Sequence, residues 1–192
     1  MKKYIYIIMC IGWFGFTEIQ AQRCLPKQTG IEIKGGFVDG FHAGKSDHTA
    51  FYGGLFVSTY TKTRDRWFTG AEYLTKYFPY KNKKYPVTQL TAEGGYLYSF
   101  LSDKGRNVFL SAGGSVLAGY ETVNWNQKLL SDGATITDRD SFLGGVAGLI
   151  ELEIFFTDKI VFLVDIKERM LFGGETGNFH TQIGVGFKFI LN

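Results

Sequence analysis

Polar and apolar residues alternate with a period of two along most of this chain, and eight segments carry the pattern. Residues 30–39 put Ile31, Ile33 and Phe37 on one face and Glu32 and Lys34 on the other. Residues 67–78 set Trp67, Ala71, Tyr73 and Tyr77 against Glu72 and Lys76. Residues 87–100 set Leu90, Ala92, Tyr96, Tyr98 and Phe100 against Gln89, Thr91, Glu93 and Ser99. The pattern continues through 108–120 (Val108, Leu110, Val116 and Tyr120 against Ser111, Gly113 and Ser115). In 141–156, Phe142, Val146, Ile150, Leu152, Ile154 and Phe156 oppose Glu151 and Glu153. In 160–172, Phe162, Val164, Ile166, Met170 and Phe172 oppose Asp165, Lys167 and Arg169; Glu168 falls on the apolar face, which implies a slipped register or a bulge there. Residues 49–61 are nearly continuous in apolar and small side chains, so periodicity does not orient them.

The last segment, 182–189, is the most specific. Ile183, Val185, Phe187 and Phe189 share one face, and Gln182, Gly184, Gly186 and Lys188 the other. Gln182, Gly184, Phe187 and Phe189 resemble the closing-strand sorting signal of outer-membrane barrels, with Ile190, Leu191 and Asn192 extending past it. Eight strands with no helical period between them predict an all-β fold: a single antiparallel up-and-down β-barrel of eight strands, outer-membrane type.

The connections carry independent weight. If the chain starts on the periplasmic side, the inner turns are 62–66, 101–107 and 157–159, and the outer loops are 40–48, 79–86, 121–140 and 173–178. Short turns on one rim and generally longer loops on the other are the asymmetry of such barrels. Glycine pairs (35–36, 53–54, 94–95, 113–114 and 144–145) recur inside the strands, where glycine is destabilising; a tightly coiled small barrel explains them. None precedes a helix, which excludes phosphate-cradling loops.

Alternation alone also fits a soluble barrel. Aromatic residues near the strand ends, long strands and polar faces of mixed charge favour lipid outside and ion pairs inside. Met1-Lys2-Lys3 followed by an apolar run from Tyr4 to Phe16 reads as a signal peptide over residues 1–21, cleaved after Ala21, leaving residues 22–192 as one barrel domain in the outer membrane. Losing two lysines and one glutamate with it lowers the net charge from +3 to +2, which leaves no basic nucleic-acid footprint.

Candidate chemistry is sparse. Cys24 is the one cysteine left after cleavage: an inter-protein thiol, a lipid anchor (which Arg23 before it disfavours) or an unremarkable thiol. His42, Asp47 and His48 share one loop without metal-ligand spacing, Ser46 and Asp140 complete no nucleophile pattern with them, and His180 reads as a lumen or rim residue. The chain is therefore read as a non-enzyme with no catalytic residue, metal or cofactor. The longest loop, 121–140, carries Trp125, Lys128, Leu129 and Leu130, an aromatic anchor beside an apolar-basic patch, and is the candidate partner contact.

Several blocks resemble one family: Arg23-Cys24-Leu25-Pro26 with Gly30-Ile31, Gly35 to Gly40, Phe68 to Leu74, Thr91 to Tyr96 and Ala118 to Trp125. Leu130 with Asp132 to Thr135, Leu171 to Gly174 and Phe179 to Gln182 extend the likeness over essentially the whole chain. The chain resembles the TraO conjugative-transposon proteins of Bacteroidetes. That resemblance implies a component of a type IV secretion-like apparatus that moves mobile-element DNA, and brings no catalytic residues with it. The partners expected are other conjugation-apparatus proteins, outer-membrane lipid and, during biogenesis, the barrel-assembly machinery, with no direct nucleic-acid contact. The alternative is a general small outer-membrane barrel, an adhesin or a lipid-modifying enzyme with its site at the rim.

Overall fold

A computed structural model describes residues 23–39, 50–80, 83–123, 140–173 and 178–191. Eight strands follow one another: β1 (Thr29–Val38), β2 (Ala50–Tyr60), β3 (Arg66–Tyr80), β4 (Lys83–Ser102), β5 (Val108–Val123), β6 (Ser141–Phe155), β7 (Ile160–Phe172) and β8 (Phe179–Ile190). Each pairs antiparallel with the next, and β8 returns to β1 from Gly30↔Ile190 to Val38↔Gln182, which closes the barrel. The expected eight-stranded up-and-down barrel is the fold. The start of β1 and the end of β8 lie at one rim, here called the terminal rim; the other is the far rim.

Alternation orients the wall as the sequence implies. Along β8, every even residue from His180 to Ile190 is buried and every odd residue from Phe179 to Phe189 is exposed. Outward residues are large and apolar, among them Leu55, Trp67, Leu90, Val116, Phe142, Ile150, Ile166 and Val185. Inward residues include Glu32, Lys34, Arg66, Glu72, Glu93, Glu151, Lys167, Arg169 and Lys188, all buried. The molecule is apolar outside and charged within, the inverse of a soluble barrel.

The glycine pairs lie inside strands. A Cβ on the inward partner at Gly36, Gly113 or Gly145 would run into a backbone carbonyl of the neighbouring strand (Ile183, Tyr96 and Met170), so close strand approach requires glycine there.

Two expectations need correction. The segment 79–86 is not an open loop: β3 and β4 continue as a ribbon paired to Tyr80↔Lys83, and residues 77–80 and 83–86 pair, among the described residues, only with each other. Pro79 and Pro86 read as strand breakers, but each has only one paired neighbour there, and proline is tolerated on such an edge. At Glu168 there is neither slip nor bulge: pairing runs unbroken from Gly148↔Glu168 to Glu168↔Thr181, and the side chain points outward and is exposed. The register shift falls instead between Ser99 and Leu101. Ile190 is the last residue of β8 and is buried in the core, so the strand runs one residue past the aromatic pair.

Candidate functional site

The lumen is filled by two ion-pair clusters. On the terminal side, Arg66 from β3 reaches Glu153 at 2.5 Å and Glu32 at 3.2 Å, and also pairs with Glu151. Lys34 binds Glu151 at 2.5 Å and Glu32 at 3.1 Å. Lys188 pairs with Glu32 (3.2 Å) and Glu153, and its ammonium donates to the Tyr60 hydroxyl at 3.0 Å. Toward the far side, Glu72 accepts from Lys167 at 3.0 Å, Arg169 at 2.8 Å and Gln182 at 2.7 Å. Lys167 also reaches Glu93 at 2.8 Å, and Ser115 donates to Glu93 at 2.7 Å. Tyr52 donates to Asp165 at 3.1 Å between the clusters.

These groups come from strands far apart in sequence; β1, β3, β6 and β8 all feed the terminal cluster. Period-two alternation delivers each one to the same interior, and closure brings them within hydrogen-bond reach. Arg66, Arg169 and Lys188 are at most 2 % exposed, so side chains, rather than an aqueous path, occupy the lumen at these levels. Desolvation makes each charge costly alone, and each is held by opposite charge.

The residues ahead of β1 close the terminal rim. The Lys27 amide donates to the Tyr60 carbonyl at 2.8 Å, and Arg23 reaches Asp158 at 3.3 Å and also bonds Asn107. Cys24 is thereby folded into the mouth among Tyr60, Phe109, Phe155, Val161, Leu163 and Ile190. Burial, helped by Glu153, pushes the Cys24 thiol up to about 12, against the lowering effects of Lys188, Tyr60 and Arg66. An inter-protein disulfide through Cys24 would need this segment to swing out.

At the far rim Asp39 accepts from Lys76 at 2.6 Å and lies 3.2 Å from His180 Nδ1. Burial raises the Asp39 carboxyl, but hydrogen bonds and charge from His180 and Lys76 outweigh it and hold the group at about 2. His180 is thus a buried rim residue that ties β8 to the end of β1. Asp140 accepts from Tyr120 and from the Val123 amide, each at 3.2 Å, which marks it as a brace at the base of β5 and β6.

Gln182 and Gly184 point into the lumen, whereas Phe187 and Phe189 point outward at the terminal rim, with Phe187 5.4 Å from Phe162 between ring centroids. The loop residues Trp125, Lys128, Leu129 and Leu130, and likewise His42, Ser46, Asp47 and His48, lie outside the described residues. Among the described residues no three His, Cys, Asp or Glu side chains are grouped as metal ligands. The interior aromatics Tyr52, Phe56 and Tyr60 were not legible as site residues, because both faces of β2 are apolar in sequence.

A closed eight-stranded barrel, apolar outside and ion-paired inside, is of the outer-membrane type. The chain belongs to the conjugative transposon protein TraO family, whose model matches residues 25–191. No curated protein sequence matches the chain. Among solved structures it is similar to the Ail attachment invasion locus protein of Yersinia pestis in complex with the heparin analogue sucrose octasulfate, at TM-score 0.57 and 10% identity, covering 87% of this chain and 100% of that one. It is also similar to Neisserial surface protein A, at TM-score 0.55 and 11% identity, covering 85% and 97%. At these identities the likeness is one of fold.

Proposed function

We propose that this chain is a non-enzymatic outer-membrane component of the conjugative DNA-transfer apparatus, a type IV secretion-like machine. In this reading the barrel anchors or completes the mating machinery at the donor envelope. Membership of the TraO family over nearly the whole chain carries the proposal. The inverted polarity supports the location: a wall of exposed Leu, Ile, Val, Phe and Trp residues suits hydrocarbon, and the buried salt bridges are what an interior sealed from lipid and water needs. The terminal rim then faces the periplasm, reached by residues 22–192 after removal of the signal peptide. The far rim, with the loop that carries Trp125, Lys128, Leu129 and Leu130, faces outward. A lumen filled by Arg66, Arg169 and Lys188 is a poor conduit, so the transferred strand passes elsewhere and the contribution is structural.

Deleting the gene from an otherwise intact element and measuring transfer frequency tests this reading. Loss of transfer restored by the gene supplied in trans is the expected result. Wild-type transfer without the gene would leave a small barrel, adhesive or lipid-modifying, that the element merely carries. Trp125→Ala is expected to lower transfer without lowering the amount of folded barrel.

A further inference from the structure

Among the strand side chains whose burial is described, Glu168 is the one charged group that points outward; the other described strand Asp, Glu, Lys and Arg side chains face the lumen or its rim. It lies on β7, four residues inside Phe172, roughly 13 Å along the strand. Its bond within the chain is from the Thr181 hydroxyl, at 2.5 Å. A carboxylate on an apolar wall is unfavourable unless something outside the barrel receives it, and such residues mark sites of contact.

The wall beside it has been left bare. In register with Glu168 stand Gly148 on β6 and then Gly114 on β5, with Ala118 and Gly144 paired two outward-facing rows on, beyond Val116 and Val146. The inward glycines are demanded by the barrel's own packing, but Gly144 and Gly148 are not: a Cβ there would meet nothing within 4 Å. Glycine weakens a strand, and where the host strand does not require it, close approach by another backbone is a physical reason for it. The hollow and the carboxylate are adjacent, and they share one face of β5–β7.

We infer that this face seats a membrane-spanning segment of another protein whose lysine or arginine pairs with Glu168 while its backbone packs over Gly148 and Gly144. Charge decides the occupant. Among the described side chains a second copy of this chain presents no outward cation, and lipid tails offer none at all. The inference rests on the transfer-apparatus reading, since it names the kind of partner such a component would hold.

Photo-crosslinking from position 148, with position 53 as control, tests the contact in cells carrying the whole element. Gly53 faces outward on β2, across the barrel, and also has room for a side chain. The expected result is an adduct from 148 only, to a protein with Lys or Arg in its spanning segment, lost in Glu168→Lys. An adduct only to lipid, or only to a second copy, would overturn the inference. In transfer assays Gly148→Leu and Glu168→Leu should each lower frequency at least tenfold at unchanged folded-barrel abundance, with Gly53→Leu at wild-type frequency. Wild-type transfer by both wall variants, where the gene deletion abolishes it, would refute the docking site and leave the transfer role standing. Wild-type transfer by the deletion would remove the transfer role, and the adduct from 148 would then decide the contact alone.

Discussion

Glu72 and Glu168 are both strand glutamates, and the barrel treats them in opposite ways. Glu72 is buried in the lumen and accepts from Lys167, Arg169 and Gln182. Glu168 stands on the outer wall with one threonine hydroxyl for company. What differs is the parity of the position: in β3 an even number points inward, in β7 an even number points outward. A charge inside this molecule is a structural part, because the fold surrounds it with opposite charge. One outside is unfavourable for the isolated barrel and needs a reason beyond it.

Removing carboxylates one at a time breaks or sharpens that contrast. Glu72→Leu strips the counter-charge from two buried cations and is expected to cost about 3–5 kcal/mol, read as a lower urea midpoint of the barrel refolded in vesicles. Glu168→Leu is expected to act in the other direction, stabilising the isolated barrel by about 1–2 kcal/mol in the same measurement. If both destabilise alike, the distinction between the two faces is wrong.

Asp39 at the far rim tests the intermediate case. Its folded value of about 2 lies below its ordinary 3.8, so its contribution is present above about pH 4 and is lost as pH falls through 2. The group is half-exposed and its pairing with Lys76 is screened, so Asp39→Asn should cost about 1 kcal/mol or less at pH 7. The cost should be small at pH 2 and vanish below it. Pair-specific loss with Lys76→Met in a double-mutant cycle would attribute it to the ion pair.

The smallest energetic effect belongs to Cys24. A thiol raised to about 12 stays protonated, and stability from its burial is full below about 9 and falls as pH rises through 12. In the folded barrel at pH 8 it should resist maleimide, and it should label at once in denaturant. Rapid labelling of the folded protein would show that the segment carrying Arg23 and Cys24 leaves the mouth, which an inter-protein disulfide requires.

Strand number, closure and the facing of seven strands were legible because polar and apolar residues alternate, most strictly in Glu151-Leu152-Glu153-Ile154. β2 resisted because its lumen face is aromatic. Tyr52 and Tyr60 use their hydroxyls on Asp165 and Glu153, and Lys34 sits 5.4 Å from the Phe56 ring centroid, so polar work is done there by residues that look apolar. Which charges pair was not legible either. Arg66 meets Glu153 across 87 positions of sequence, and only the closed circuit of strands sets that distance. The ribbon at Tyr80↔Lys83 was hidden by two prolines, each with only one paired neighbour among the described residues. Glu168 was visible as an anomaly, but a bulge and an outward carboxylate look identical until the register is known.

The inversion of polarity itself is tested most directly by fractionating cells that express the full chain. The expected result is a carbonate-resistant outer-membrane protein that migrates faster unheated than boiled, because a lipid-facing wall keeps the barrel closed in detergent. A freely soluble periplasmic protein with no heat-modifiable form would contradict it.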